Sequence, residues 1–141
     1  HHSQYIGQLV TEGKINPKAW MDEDVTYHDA CYLGRHNDEY DAPRDVIQSI
    51  MKDGKLKEME KSREESFCCG AGGGNMWYEI KTGERINHNR FKQAADTGAT
   101  TVATACNFCN IMMEDGMKVT GNDEKMKVMD IAELVSKSLA G

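Results

Sequence analysis

Five cysteines in three groups constrain this 141-residue chain more than any other feature. They are Cys31, the vicinal pair Cys68-Cys69, and Cys106-Asn-Phe-Cys109. Cys31 to Cys68 and Cys69 to Cys106 are equal separations of 37 positions, about the length of one strand–helix crossover unit. An odd cysteine count without a secretory signal argues against a secreted disulfide framework and for thiols kept reduced. Such thiols are metal ligands or redox groups more often than structural cross-links. The expected location is the cytoplasm or the cytoplasmic face of a membrane complex.

The rest of the composition narrows the class. A net charge of −6 with no block of Lys or Arg excludes a nucleic-acid footprint. No apolar run approaches the roughly 18 residues of a spanning helix, so no membrane insertion by this segment is expected. With 39% hydrophobic and 28% charged residues, the chain reads as one globular domain over residues 1–141. It opens on His1-His2-Ser3 without a methionine, which reads as a fragment of a larger protein.

Helices and strands alternate along the chain. Ile6, Leu9 and Val10 mark a helix over residues 3–13, and residues 24–28 are β-branched and aromatic. Pro43 opens a second helix that runs to Gly54; residues 56–59 form a weak edge strand, and 66–68 a short extended piece. A helical pattern over 75–97, interrupted near Gly83, takes its apolar face from Ile86, Phe91, Ala94 and Ala95. Then come a strand over 100–105, a helix over 107–119, a strand over 125–129 and a helix that Asp130 caps. The order predicts an α/β fold: a mainly parallel sheet flanked by helices, with each cysteine group at a strand's carboxyl end, where such sheets bind ligands.

Several chemistries fit parts of this pattern. Cys106-x-x-Cys109 alone serves a redox dithiol or half a zinc site, and a helix start lowers its thiol pKa. Zinc takes four ligands, leaving one cysteine surplus, whereas sulfur-rich sites suit iron–sulfur clusters. The run Gly70-Ala-Gly-Gly-Gly74 departs from a dinucleotide loop at Asn75. It fits instead a backbone that approaches a cluster, with Gly70, Gly72, Gly73 and the helix start at Asn107 as candidate N–H contacts. His28 is a candidate donor to a sulfur, or a histidine satisfied by backbone. Met112, Met113, Met126 and Met129 fall at core-facing positions.

Cys31, Cys68-Cys69-Gly70 and Cys106-x-x-Cys109, with His28-Asp-Ala-Cys-Tyr-Leu-Gly-Arg35, resemble the cysteine-rich CCG domain of heterodisulfide reductase-related iron–sulfur oxidoreductases. The chain is most similar to the C-terminal CCG repeat of those that pass electrons between electron-transfer flavoprotein and quinone. The resemblance implies an oxidoreductase module with a non-cubane [4Fe–4S] centre on Cys31, Cys68, Cys69, Cys106 and Cys109. It also implies partners: the remainder of its own protein, other redox subunits, and a thiol/disulfide or quinone-linked system. The alternative is a structural zinc domain for complex assembly. Ala30 replaces the proline usual before the first cysteine, and one motif stands where the family generally has two.

Overall fold

The computed structural model describes residues 1–79 and 81–140. Three short parallel strands form its centre: β1 (Val25–Tyr27), β2 (Thr101–Thr104) and β3 (Lys127–Asp130), in the order β1-β2-β3. The register pairs Val25 with Thr101 and Tyr27 with Ala103, then Thr101 with Lys127 and Thr104 with Asp130. All four residues of β2 are buried, as a strand covered on both faces requires.

Alternation along β2 and β3 splits the core in two. Val102 and Val128 pack with Phe91, Met113 and Met117, carried by α3 (Ile86–Asp96) and α4 (Asn107–Val119). Ala103 and Met129 pack on the opposite face with Ile47 and Leu134. Those two belong to α2 (Asp41–Ile50) and α5 (Ile131–Leu139), and α1 (His2–Thr11) adds Ile6 to the same cluster. The result is a parallel sheet between two helical layers, the α/β architecture the sequence predicts. Among the described residues no helix is long and apolar enough to cross a membrane.

Local chemistry accounts for the helix ends. Asp130 caps α5 by accepting from the Ala132 N–H, while Glu133 returns the bond to the Asp130 N–H. Gly116 lets α3 and α4 touch: a Cβ there would lie 2.8 Å from both Asn87 O and Phe91 Cβ. That close approach fixes the position of α3.

Three segments differ from expectation. The weak strand over 56–59 is a single parallel bridge from Leu56 to Val25, because Glu58 turns aside to pair with Arg44. Residues 66–68 join no ladder, and their polar groups are held by side chains: Arg35 donates to Ser66 O at 2.7 Å and Arg90 to Ser66 Oγ at 3.1 Å. The helix expected over 75–97 is confined to α3. Before it, Gly73 and Gly74 take φ of 65° and 76° inside a 3-10 turn over Gly72–Trp77, and Gly83 takes 76°. Left-handed backbone at Gly83 is the interruption the sequence predicts, and the 3-10 turn that begins in the glycine run takes up the residues from Asn75 to Trp77. Ile80, within that expected helix, lies outside the described residues.

Candidate metal centre

Two cysteine segments follow strands and the third does not. Cys31 lies in the turn after β1, and Cys106 is the N-cap residue of α4, just past β2. Cys68 and Cys69 follow the irregular segment described above, so the placement of every cysteine group at a strand end is corrected for the vicinal pair. Side-chain hydrogen bonds from Arg35 and Arg90, in place of a β-ladder, hold that segment against the end of β1.

The three segments meet at one cavity of about 300 Å³. All five cysteines line it: Cys31, Cys68, Cys69, Cys106 and Cys109. All are free thiols; Cys69 and Cys109 are buried and the other three half-buried. The remaining wall is Ala71, Gly72, Gly74 and Met76, with Tyr32, Trp77 and Phe108 at the rim. These three aromatics are 77%, 81% and 56% exposed, unusual for side chains of that size. Among the described residues no carboxylate lines this cavity, and its potential ligand atoms are the five sulfurs.

Backbone N–H groups face the sulfurs. The Gly70 N–H lies 3.2 Å from Cys68 Sγ. The Ala71 N–H faces Cys69, and the N–H groups of Phe108 and Cys109 in the first turn of α4 face Cys106. Gly70 is at φ 85°, where a Cβ would come within 3.0 Å of Ile86 Cβ, so glycine serves both conformation and space.

The thiols are electrostatically linked. Cys69 is held well below the ordinary thiol range, first by hydrogen bonds from Cys109 and Cys68, against burial, with His28 and the Ala71 N–H adding to it. Cys109 is pushed up because it donates toward Cys106 and Cys69 and is buried. Cys68 is likewise raised as a donor to Cys69. Cys106 is lowered to about 6, chiefly by the Cys109 thiol, with the helix-start N–H groups overcoming burial. The pocket thus stabilises negative sulfur at Cys69 and Cys106, with Cys68 and Cys109 holding the protons; binding of a soft metal would require those protons to leave.

The other candidate residues divide. Gly72 lines the cavity, whereas Gly73 does not. Asn107 lines a neighbouring cleft with His1 and His2; it is Phe108 and Cys109 whose N–H groups point at sulfur. His28 is 1% exposed; burial pushes its pKa down, and the neighbouring Cys69 opposes that shift. The ligand atoms of His28, Cys69 and Cys109 all lie within 4.8 Å of one another.

Sequence reasoning missed two buried arginines. Arg44 is clamped bidentately by Asp29, with Nη1–Oδ1 at 2.8 Å and Nη2–Oδ2 at 2.9 Å, and by Glu58. Arg90, fully buried, donates to His28 Nδ1, Lys61 O, Gln93 Oε1 and Ser66 Oγ. The readable signal for Arg90 was its spacing: Asn87, Arg90, Phe91 and Ala94 form the buried stripe of α3.

Residues 25–114 match the family model described as a cysteine-rich domain, CCG. The chain belongs to the cysteine-rich CCG family. Among its relatives, a probable iron–sulfur-binding oxidoreductase, FadF, of Bacillus subtilis is 42% identical over 100% of this chain and 20% of its own length. The EtfAB:quinone oxidoreductase of Syntrophomonas wolfei is 41% identical over 99% of this chain and 20% of its own. A subunit of the dihydromethanophenazine:CoB–CoM heterodisulfide reductase of Methanosarcina barkeri is 36% identical, over 99% of this chain and 33% of its own. The chain therefore spans a fifth to a third of the length of these curated relatives. No solved structure is a significant match.

Proposed function

We propose that this CCG domain is an iron–sulfur redox module of a larger oxidoreductase, with Cys31, Cys68, Cys69, Cys106 and Cys109 as the thiolates that hold its cluster. The observation that carries the reading is five free thiols on one cavity that no carboxylate lines. Thiolate-rich sites of this kind select soft metals and iron–sulfur clusters. When bound, the cluster would supply one-electron transfer. A non-cubane [4Fe–4S] arrangement is the form the resemblance to the CCG family implies and the one we assign; five sulfurs also exceed the four that a tetrahedral zinc takes.

The protein's own part is to hold and tune. The helix-start N–H groups at Cys106, the Gly70 N–H at Cys68 and the Ala71 N–H at Cys69 favour ionised sulfur. Burial of Cys69 and Cys109 keeps water from that side of the site. Hydrogen bonds to sulfur and exclusion of solvent are the levers that set such a centre's potential. The exposed rim of Tyr32, Trp77 and Phe108 supports contact with the remainder of a longer redox protein or another redox subunit. The iron–sulfur and quinone-linked names among the relatives support oxidoreductase chemistry of this kind, and the free thiols fit a reducing compartment.

The test is iron and acid-labile sulfide on chain reconstituted anaerobically, with EPR spectra of the same sample. About four irons and four sulfides per chain are expected, with loss of most of both on Cys69→Ser. One zinc, no sulfide and no visible absorption would replace this reading with a structural zinc module.

A further inference from the structure

The group formed by His28, Cys69 and Cys109 has the spacing of a metal site, so His28 has two open roles. It is either a sixth candidate ligand or a donor to sulfur. We infer that Arg90 decides between them: it fixes His28 as the Nε2–H tautomer, an N–H donor to Cys69 and not a metal ligand. This inference takes its consequence for a cluster from the function proposed above, while the tautomer belongs to the metal-free chain.

The argument is one of proton inventory. Arg90 Nε lies 2.9 Å from His28 Nδ1. An arginine side chain has only donors, so Nδ1 must present its lone pair. A neutral imidazole carries one proton, which then sits on Nε2. The ligand atoms of His28, Cys69 and Cys109 lie within 4.8 Å of one another, and with Nδ1 turned to Arg90 the protonated Nε2 is the ring atom left for Cys69. Ligation through Nε2 would require the proton to move to Nδ1, against the Arg90 N–H. An imidazolium would set two donors head to head beside a cation in a site where His28 is 1% exposed and Arg90 0%.

Arg90 is held for this task from several sides. Its Nη1 donates to Lys61 O at 2.8 Å and to Gln93 Oε1 at 2.7 Å, and Nη2 donates to Ser66 Oγ at 3.1 Å. The close contact at Gly116 locks the helix that carries it. Arg90 makes no ion pair among the described residues, so its charge lies behind the thiols unneutralised by a bound carboxylate. Arg90 is therefore a positioning residue. Through His28 it directs an N–H at sulfur, and an N–H···S bond with a cation behind it makes a cluster easier to reduce.

The experiment begins with the ¹⁵N-labelled, metal-free 141-residue chain and long-range ¹H–¹⁵N correlation spectra, with His28→Gln assigning the signal. The expected pattern is a protonated Nε2 and an unprotonated Nδ1 on His28. A protonated Nδ1, alone or in an imidazolium, overturns the inference without a mutant. In Arg90→Met the pattern should change to a mixture of tautomers, and the loaded variant's reduction potential should shift negative. A folded variant with both unchanged also overturns it. If the wild-type chain loads no iron, the proposed function fails, and the tautomer result stands or falls separately.

Discussion

The two buried arginines sit in one small domain under opposite electrostatic regimes. Arg44 has two carboxylates, Asp29 and Glu58, and is held charged by them although burial opposes it. Arg90 hydrogen-bonds only neutral acceptors; burial lowers it to about 10, and Asp29 and the cluster of cysteines around Cys69 oppose the shift. The first is a closed network that completes itself within the fold. The second is fully buried without a carboxylate partner, and its Nε is directed at His28, whose ring lies beside Cys69 and Cys109. A buried cation that the fold leaves incompletely neutralised marks where the fold expects a negative group.

The comparison breaks most visibly at Arg44. Arg44→Ala leaves the Asp29 carboxylate, 3% exposed, without its cation, and should lower unfolding stability by about 3–5 kcal/mol in urea titrations of metal-free chain. Asp29 also accepts from the Arg63 N–H, so the loss should extend to the loop before Cys68. A loss under about 1 kcal/mol would mean the two arginines are not distinct in kind.

Titration sharpens the same contrast. In metal-free chain, alkylation of Cys106 should show a midpoint near pH 6, in place of about 8.5 for an ordinary thiol. Cys68, pushed up, should stay slow to react at neutral pH. The sign for stability follows from the depressed pKa. The Cys106 contribution is present in full above the unfolded thiol's pKa and is lost as pH falls through about 6. An alkylation midpoint near 8.5 would remove the Cys109 and helix-start effects from the account of the pocket.

The smallest expected effect lies away from both arginines. Asp130→Ala removes the α5 cap and should cost about 1 kcal/mol in thermal or urea unfolding. Iron loading should stay at the wild-type level, because Asp130 lies outside the thiol cavity. Loss of loading with it would tie the cluster site to global stability and not to local geometry.

The β-branched and apolar runs at β2, β3, α4 and α5 were legible in sequence because local propensity and burial agree there. Periodicity placed α4 at the observed bounds, and Asp130 announced the start of α5. The interruption near Gly83 was legible, and φ there is 76°, but the stretch between Asn75 and α3 departs from the expected helix because helical periodicity does not report how the chain leaves the preceding glycine turn. In α3 itself, the apolar pattern assigns Ile86 to the core, yet it is 37% exposed, whereas Arg90, a residue type seldom buried, is fully covered. Sequence pattern reports hydrophobicity, and a buried cation is invisible to it until its acceptors are known.

By itself the sequence determined the family and the parallel α/β class, and it singled out the five cysteines that we propose as sulfur donors, because spacing and residue chemistry are local facts. Tertiary structure alone decided that all five thiols line one cavity, and that Ser66, just before the vicinal pair, is held by Arg35 and Arg90 and not by a strand ladder. It also decided that the cation behind His28 comes from 62 positions further along the chain. A hydrogen bond depends on two groups meeting in space with matched donor and acceptor roles, and that meeting is set by how α3 packs on α4.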